Sequence, residues 1–149
     1  MAKPIISEPE YEFRHRLPVQ MRFSDTDMLG HVNNSVYLQF LDLAKVNYFT
    51  TVNKSEPDWR EINMVVAGIN IDFLSQTRFG EPLEVLTQTF SIGTKSLRLN
   101  QRVVNSATGE VKCAASTTMV CIDLRAGATE PIPGEWISLI NEFEQRNVK

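Results

Sequence analysis

The residues most able to do chemistry lie close together in the first quarter of the chain. Two carboxylates, Asp25 and Asp27, are separated by one residue, and His31, Asn33 and Asn34 follow them. A carboxylate can attack a carbonyl carbon or activate a water molecule. The residues that open a helix offer unpaired N–H groups and a partial positive charge. Together these groups suit acyl transfer, because the N–H groups can hold the oxyanion that forms on attack.

The same residue types also have simpler interpretations. Asp and Asn before a helix commonly shape turns and helix caps, and taken alone the pattern favours that role. Asp25, Asp27 and His31 could also supply metal ligands. The chain has only two histidines, however, and a zinc site normally needs three or four defined ligands. We therefore expect no metal and no cofactor.

A long helix is predicted directly after this stretch, over residues 35–51. Asn33, Asn34 and Ser35 are all good N-cap residues. Within the helix, polar Ser35, Gln39 and Asp42 fall on one narrow stripe, and apolar residues cover most of the remaining circumference. A helix of this kind is buried on most sides, so we expect a sheet to wrap around it.

Period-two alternation of apolar and polar residues predicts the strands of that sheet. In the first strand the alternating residues are Leu17, Val19, Met21 and Phe23, and His15 is expected on its surface. Residues 51–63 are expected to form a loop or short turn. The order of strand, helix, four strands and helix indicates an α+β fold with a five-stranded antiparallel sheet around a long central helix. The predicted strands are residues 14–24, 64–76, 83–92, 97–104 and 111–124, and the last helix is residues 135–146.

Composition limits the class of protein. The chain has 149 residues, 42% hydrophobic and 22% charged, with a net charge of −3, which suits one globular domain over residues 11–149 after a flexible tail, 1–10. No basic patch indicates nucleic-acid binding, and no run approaches the roughly 18 apolar residues of a membrane span. We expect a cytoplasmic protein. Cys113 and Cys121 would lie roughly 26 Å apart on one strand, too far for a disulfide, and are expected in the core.

The stretch from Asp25 to Tyr37 resembles the 4-hydroxybenzoyl-CoA thioesterase family of hotdog-fold proteins. The resemblance is carried by Asp25–Thr26–Asp27, by Gly30–His31–Val32–Asn33–Asn34 and by Tyr37. The HVNN form is similar to the bacterial long-chain acyl-CoA thioesterase branch of the family. Weaker matches extend the resemblance over residues 17–133, which is nearly the whole predicted domain.

This resemblance implies an acyl-CoA thioesterase that needs no cofactor, with a specific set of roles. Asp27 would be the nucleophile or general base, and the backbone N–H at Asn34 would polarise the thioester carbonyl. His31 would complete the catalytic set. The family also implies a homo-oligomer, a dimer or tetramer, with the active site at the dimer interface. The residues expected to shape the substrate site or contact CoA are Asp25, Gly30, Asn33, Tyr37, Lys95 and Ser96.

Two other functions are compatible with the same fold. A dehydratase or hydratase would need a histidine paired with a carboxylate, for which His31 is the only candidate here. A non-catalytic acyl-CoA-binding or acyl-ACP-binding hotdog protein would keep the pocket without its acid, and the presence of Asp27 counts against it. Phe40 and Phe73 could line an acyl pocket, but for both we expect core packing.

Overall fold

One antiparallel sheet and one long helix form most of the fold. The structure is a computed structural model that describes residues 8–57 and 63–149. Most of the predicted tail (1–7) and part of the predicted 51–63 loop (58–62) lie outside the described residues. The helices are α1, Asn34–Asn53, and α2, Gly134–Glu144. The strands are β1 (His15–Val19), β2 (Met64–Phe73), β3 (Leu83–Ile92), β4 (Ser96–Asn105), β5 (Val111–Asp123) and β6 (Ala128–Thr129).

The sheet has the order β1-β3-β4-β5-β2, and all neighbouring strands are antiparallel. Short turns join β3 to β4 and β4 to β5, as antiparallel neighbours allow. β2 follows α1 and lies at the opposite edge of the sheet from β1. The predicted α+β fold with five antiparallel strands and a central helix is therefore confirmed. The two-residue β6, which pairs with the end of β5, was not predicted.

Helix α1 starts at a side-chain cap and buries one side. Asn33, one of three predicted caps, accepts a hydrogen bond from the N–H of Ser35 at 3.2 Å through its Oδ1. The opposite side of the helix leaves Leu38, Leu43 and Val46 exposed. The prediction that α1 is buried on most sides is thus wrong for a single chain. The inward side chains are Val36, Tyr37, Phe40, Leu41, Ala44, Lys45, Tyr48 and Val52.

The core is divided along the length of α1. Around its first half, Tyr37 and Leu41 pack against Val85 and Val103 of the sheet. Around its second half, Tyr48, Leu97, Leu99 and Ile140 form another cluster that includes α2. Cys113 and Cys121 are buried and unbonded to each other, as predicted. Because α2 packs in the cluster around the second half of α1, the N-terminal end of α1 stays accessible.

Strand β1 is shorter than predicted. Val19 pairs with Leu83, the first residue of β3, so no strand remains beyond it for β1 to pair with. The chain instead forms a 3-10 turn at Phe23–Asp25, where the Asp25 carboxylate accepts the N–H of Arg22 at 2.8 Å. The alternation continues to Phe23, but this side chain is 81% exposed.

His15 is buried, contrary to the prediction of a surface position. It pairs in register with Thr87 of β3 and packs edge-on against the ring of Tyr48. Its Nε2 lies 2.8 Å from Oδ1 of Asn47, which can only accept, so Nε2 is the donor. Nδ1 is buried without a partner among the described residues. A second proton on this ring would therefore be a buried, unpaired donor.

We expect this ring to make the protein less stable in mild acid. Burial lowers the pKa of His15, and the hydrogen bond to Asn47 offsets only part of that effect. Because the folded pKa lies below the unfolded value, the contribution of neutral His15 is complete above about pH 6.5 and is lost as the pH falls through the folded pKa. His15→Gln keeps a donor for Asn47 and does not titrate. Between about pH 7 and pH 5, Tm should fall more steeply in the wild type, by about 2–4 °C.

The pH dependence of Tm in the wild type alone would not isolate His15, because Glu144 also affects stability as the pH changes. Burial raises the pKa of Glu144, so its contribution is complete below the ordinary glutamate range and is lost as the pH rises through the folded pKa. The two groups act in opposite directions, but Glu144 is present in both proteins. Parallel Tm curves for wild type and His15→Gln, measured by circular dichroism, would show that His15 does not cause the acid sensitivity.

Candidate active site

A tight turn presents the predicted catalytic residues. Thr26 and Val32 form an antiparallel bridge, and the Asp27 N–H donates to the His31 carbonyl at 2.8 Å. The turn between them closes when the Gly30 N–H donates to the Asp27 carbonyl at 3.0 Å. Gly30 has a φ of 75°, in the left-handed region that side chains disfavour. Gly30 therefore acts by permitting the turn, not by contributing a functional group.

The carboxylate of Asp27 is held by this turn through one oxygen. Its Oδ1 accepts the N–H of Leu29 at 2.8 Å and that of His31 at 3.2 Å. Among the described residues, Oδ2 has no hydrogen-bond partner, and the side chain is exposed. One oxygen thus orients the group while the other is available to a ligand or water molecule.

The first turn of α1 supplies a hydrogen-bond donor beside it. The N–H groups of Asn33, Ser35 and Val36 are used by the Asp25 carbonyl, the Asn33 side chain and the Asn33 carbonyl, respectively. Within the described part of the chain, the Asn34 N–H has no such partner. Because a helix N-terminus carries partial positive charge, this N–H is suited to hold a developing negative charge.

Asp25 is buried, and among the described residues its hydrogen bonds all go to the protein's own loop. It is 2% exposed, and its two carboxylate oxygens accept the backbone N–H of Arg22 at 2.8 Å and the guanidinium at 3.1 Å. Its carbonyl also accepts the N–H of Asn33. Asp25 therefore joins the 3-10 turn to the start of α1, and it does not line the pocket that contains Asp27. These contacts are those of a loop-shaping group, and any contact of Asp25 with substrate stays a prediction.

A pocket of about 510 Å³ unites most of the predicted site. That volume lies within the usual range for small-molecule sites, about 300–1,000 Å³. Tyr37 is 2% exposed and forms a wall, since its hydroxyl donates to Thr77 Oγ1 at 2.7 Å. The predicted residues that line the pocket are Asp27, His31, Asn33, Asn34 and Tyr37, and the others are Leu29, Val32, Phe73, Leu74, Ser75 and Gln76.

The wall opposite Asp27 was not predicted. It is formed by the end of β2 and the segment after it, part of which the sequence predicted as strand, and residues 74–77 were given no role. Val32 donates its N–H to the Thr77 carbonyl at 2.8 Å, and His31 forms a bridge with Arg78. Phe73 is 44% exposed and lines the pocket, so the expectation of core packing was wrong for it, whereas Phe40 is buried. No local pattern indicates these contacts, because they join residues more than forty positions apart.

Lys95 and Ser96 lie away from this pocket within one chain. Ser96 pairs with Val120 of β5, whereas Phe73 at the pocket pairs with Cys113. Seven residues of strand separate those two β5 positions by about 23 Å. The Lys95 ammonium lies 3.4 Å from Thr129 Oγ1. A role for these two residues in CoA binding therefore stays a prediction.

The described residues show neither a metal-binding cluster nor a membrane-spanning helix. They contain no group of three or more His, Cys, Asp or Glu side chains arranged to hold a metal ion. None of the helices in residues 8–57 and 63–149 is long and apolar enough to cross a membrane.

Comparison with known proteins places the chain in a family. Residues 21–140 match the family model of the thioesterase-like superfamily. The chain is 30% identical over 120 residues to the long-chain acyl-CoA thioesterase FadM of Escherichia coli, covering 78% of this chain and 89% of FadM. It is 26% identical over 132 residues to the acyl-CoA thioester hydrolase YbgC of Escherichia coli, covering 87% and 96% of the two chains.

Solved structures agree in fold. A thioesterase of Thermus thermophilus, solved with coenzyme A and zinc, superposes with a TM-score of 0.80 at 33% identity, over 90% of this chain and 96% of that one. A predicted thioesterase from Bacillus stearothermophilus superposes with a TM-score of 0.78 at 22% identity, over 87% and 95%. The hotdog fold predicted from the sequence is confirmed, and the chain belongs to the thioesterase-like superfamily.

Proposed function

We propose that this protein hydrolyses acyl-CoA thioesters with Asp27 as the catalytic carboxylate. One observation carries the assignment: Asp27 and Asn34 line the same pocket, and among the described residues neither Oδ2 of Asp27 nor the N–H of Asn34 has a hydrogen-bond partner. Hydrolysis needs an oxygen nucleophile near the carbonyl carbon and a donor near its oxygen. Membership of the superfamily and the activities of FadM and YbgC support the reaction class.

The reaction divides between these two groups. The Asn34 N–H donates to the carbonyl oxygen and stabilises the charge that develops there, aided by the α1 dipole. Asp27 either attacks the carbonyl carbon or removes a proton from an attacking water molecule. The C–S bond then breaks, CoA leaves as a thiolate that takes up a proton, and the acid is released. With direct attack, water must also hydrolyse an acyl-aspartate anhydride.

The two routes differ in where oxygen from water first appears. In a single turnover in water labelled with heavy oxygen, a general-base Asp27 sends the label to the acid. Direct attack places the label in the Asp27 carboxylate when water then attacks the aspartyl carbon of the anhydride, because the unlabelled bridging oxygen leaves with the acid. Attack of water on the acyl carbon would send the label to the acid, as the general-base route does, so a labelled Asp27 identifies direct attack. Mass spectrometry of the peptide containing Asp27 reads this difference.

The proposal includes a homodimer formed through β2. Within the described part of the sheet, β2 has one hydrogen-bonded neighbour, β5, which leaves a ten-residue edge open. Ile69 and Phe73 on this strand are 42% and 44% exposed, and Leu43 and Val46 of α1 are exposed as well. A long open edge beside apolar surface invites pairing with another strand, and a second copy paired antiparallel about a two-fold axis would cover both features.

That pairing would join the site to a second pocket. A pocket of about 440 Å³ lies between the second half of α1, the sheet and α2, and most of its lining is apolar, including Phe49, Met119 and Trp136. Val66 lines this pocket and Phe73 lines the Asp27 pocket, about 23 Å apart along β2. An antiparallel copy of β2 centred near Ile69 would set Phe73 of one chain beside the Val66 region of the other. We propose that the acyl group extends into that pocket.

A panel of CoA thioesters, assayed by thiol release, tests the proposed function. The rate should rise with the length of a straight aliphatic acyl chain until the apolar pocket is filled, because each buried CH₂ contributes about 0.8 kcal/mol. A benzoyl thioester, with its shorter acyl group, should be a poorer substrate. Tight binding without thiol release from any member of the panel would instead identify a non-catalytic acyl-CoA-binding protein.

A further inference from the structure

A buried lysine lies directly behind the Asp27 pocket. Lys112, on β5, is 2% exposed, although lysine is almost never fully buried without a partner. We propose that Lys112 is a positioning residue: its ammonium group holds the segment after β2 in the place that sets the turn carrying Asp27. This inference rests on the proposed function for its effect on turnover, but its structural part can be tested without any substrate.

The ammonium group links Glu110, just before its own strand, to two points on the loop between β2 and β3. Nζ donates to the Gln76 carbonyl at 3.0 Å, to Glu81 Oε1 at 2.9 Å and to Glu110 Oε1 at 2.6 Å. These three acceptors use all three N–H bonds of an ammonium group. The lysine is thus a three-way link whose one backbone target, Gln76, lines the Asp27 pocket.

The backbone of Lys112 holds the same segment. Its carbonyl accepts the N–H of Leu74 at 2.9 Å and that of Ser75 at 3.1 Å. The Ser75 hydroxyl also donates to Glu110, and Glu81 Oε2 accepts the N–H of Arg78 at 2.6 Å. Residues 74–78 are therefore tied to Lys112 or its carboxylate partners at four of their positions.

Residues 74–78 are in turn hydrogen-bonded to the residues around Asp27. The Thr77 carbonyl accepts the Val32 N–H, and the Thr77 hydroxyl accepts a hydrogen bond from Tyr37. Arg78 forms the bridge with His31, whose N–H donates to Asp27 Oδ1. Hydrogen bonds joined by short stretches of backbone thus connect Lys112 to the carboxylate of Asp27, and Lys112 itself does not line the pocket.

The charge of Lys112 is part of this role. Burial works against the charged ammonium, but its bonds to Glu110 and Glu81 prevail and raise the pKa of Lys112. Burial likewise opposes the charge of Glu81, yet the hydrogen bond from Lys112 and two others lower its pKa. Lys112 and Glu81 therefore stay charged at neutral pH. A neutral side chain of similar length would leave two carboxylates without their shared cation.

We expect Lys112→Met to lower kcat by at least about 10-fold with KM changed less than about 3-fold, because misplacement of a reacting group by about 1 Å can cost up to about 10²-fold in rate. The variant should also be less stable, so two comparisons separate stability from position. The double variant Lys112→Met/Glu81→Gln also removes the charge of Glu81, which the lysine no longer balances. Its Tm should recover, whereas its kcat should stay low. Tyr48→Phe removes the hydroxyl that donates to Glu144 in the other half of the core, and it should lower Tm while leaving kcat unchanged.

Lys54→Met is the matched control, because it also removes a lysine that forms an ion pair with a glutamate. Lys54 bonds Glu142 at 2.9 Å at the far end of α1, and its replacement should leave kcat unchanged.

In an Asp27→Asn background, Lys112→Met should lower kcat by less than about 2-fold further, because positioning a missing carboxylate has no effect. A full multiplicative loss in that background, or wild-type kcat in the stability-matched double variant, would overturn the proposal.

Amide hydrogen exchange gives a readout independent of substrate. In Lys112→Met, the amides of His31 and Val32 should exchange faster than in Lys54→Met or Tyr48→Phe. If exchange speeds up but the wild type cleaves no thioester, the proposed function fails and the positioning link stands. If thioesters are cleaved but exchange at these amides is unchanged, the link to Lys112 is wrong.

Discussion

Replacement of Asp27 by asparagine should lower kcat for acyl-CoA hydrolysis by about 10²-fold or more, the scale expected for loss of a general base or nucleophile. Asparagine keeps an Oδ1 that can accept from Leu29 and His31, as the carboxylate does at 2.8 and 3.2 Å. The turn should therefore keep its shape, and Tm should change little. What is lost is the negative charge and the reactive Oδ2.

Two neighbouring variants control for general damage to this turn. Asp25→Asn should lower Tm more than kcat, because it weakens a buried carboxylate's bonds to Arg22. His31→Ala should give an intermediate loss of activity, since the side chain lines the pocket while its backbone holds Asp27. If Asp27→Asn keeps a rate close to that of the wild type on its best substrate, the turn is only a helix cap and Asp27 is not catalytic.

Introduction of a charge at the open edge of the sheet should dissociate the protein and abolish turnover. Ile69 lies in the middle of β2 with 42% of its surface exposed. In the proposed two-fold pairing, Ile69→Lys sets two like charges close together in a surface that is otherwise apolar, and directly opposed like charges destabilise strand pairs. At micromolar concentration the variant should sediment as a monomer. Loss of the partner's apolar pocket should reduce the turnover of long-chain thioesters by about 10²-fold or more.

The control places the same substitution on apolar surface elsewhere. Leu124 is 61% exposed, just beyond β5, and Leu124→Lys should remain a dimer with unchanged activity. Circular dichroism should show both variants folded, because β2 keeps its ladder with β5. A wild-type protein that sediments as a monomer, or an Ile69→Lys variant that stays dimeric, would remove β2 as the interface.

The turn that carries Asp27 could be located from sequence because its structure is local. The Asp27 carboxylate bonds to N–H groups two and four residues ahead, and the Asn33 cap bonds to Ser35. Such contacts depend on residue type at fixed spacing, which a single sequence displays. The strands and their sequence along the chain were predictable for a similar reason, since alternation along each strand reflects which face is buried.

The opposite wall and its lysine could not be predicted, because both depend on strand register. Lys112 meets Gln76 only because β5 pairs with β2, and β5 looks like any other alternating strand in the sequence. His15 was misjudged for the same reason: its burial follows from the pairing of β1 with β3 and the position of Tyr48. The exposed face of α1 would be covered only in the proposed dimer, and periodicity does not distinguish burial within a chain from burial between chains.

The most direct test of the central claim is a single-turnover experiment with enzyme in excess over a long-chain acyl-CoA. Wild-type protein and Asp27→Asn are mixed with the thioester, quenched over time, and analysed for intact substrate, free acid and CoA. The account predicts that both proteins bind the thioester and that the wild type converts it completely to acid and CoA. Over the same interval, the variant should return it intact. Cleavage by Asp27→Asn at a rate within about tenfold of the wild type would contradict the assignment of Asp27 as the catalytic carboxylate.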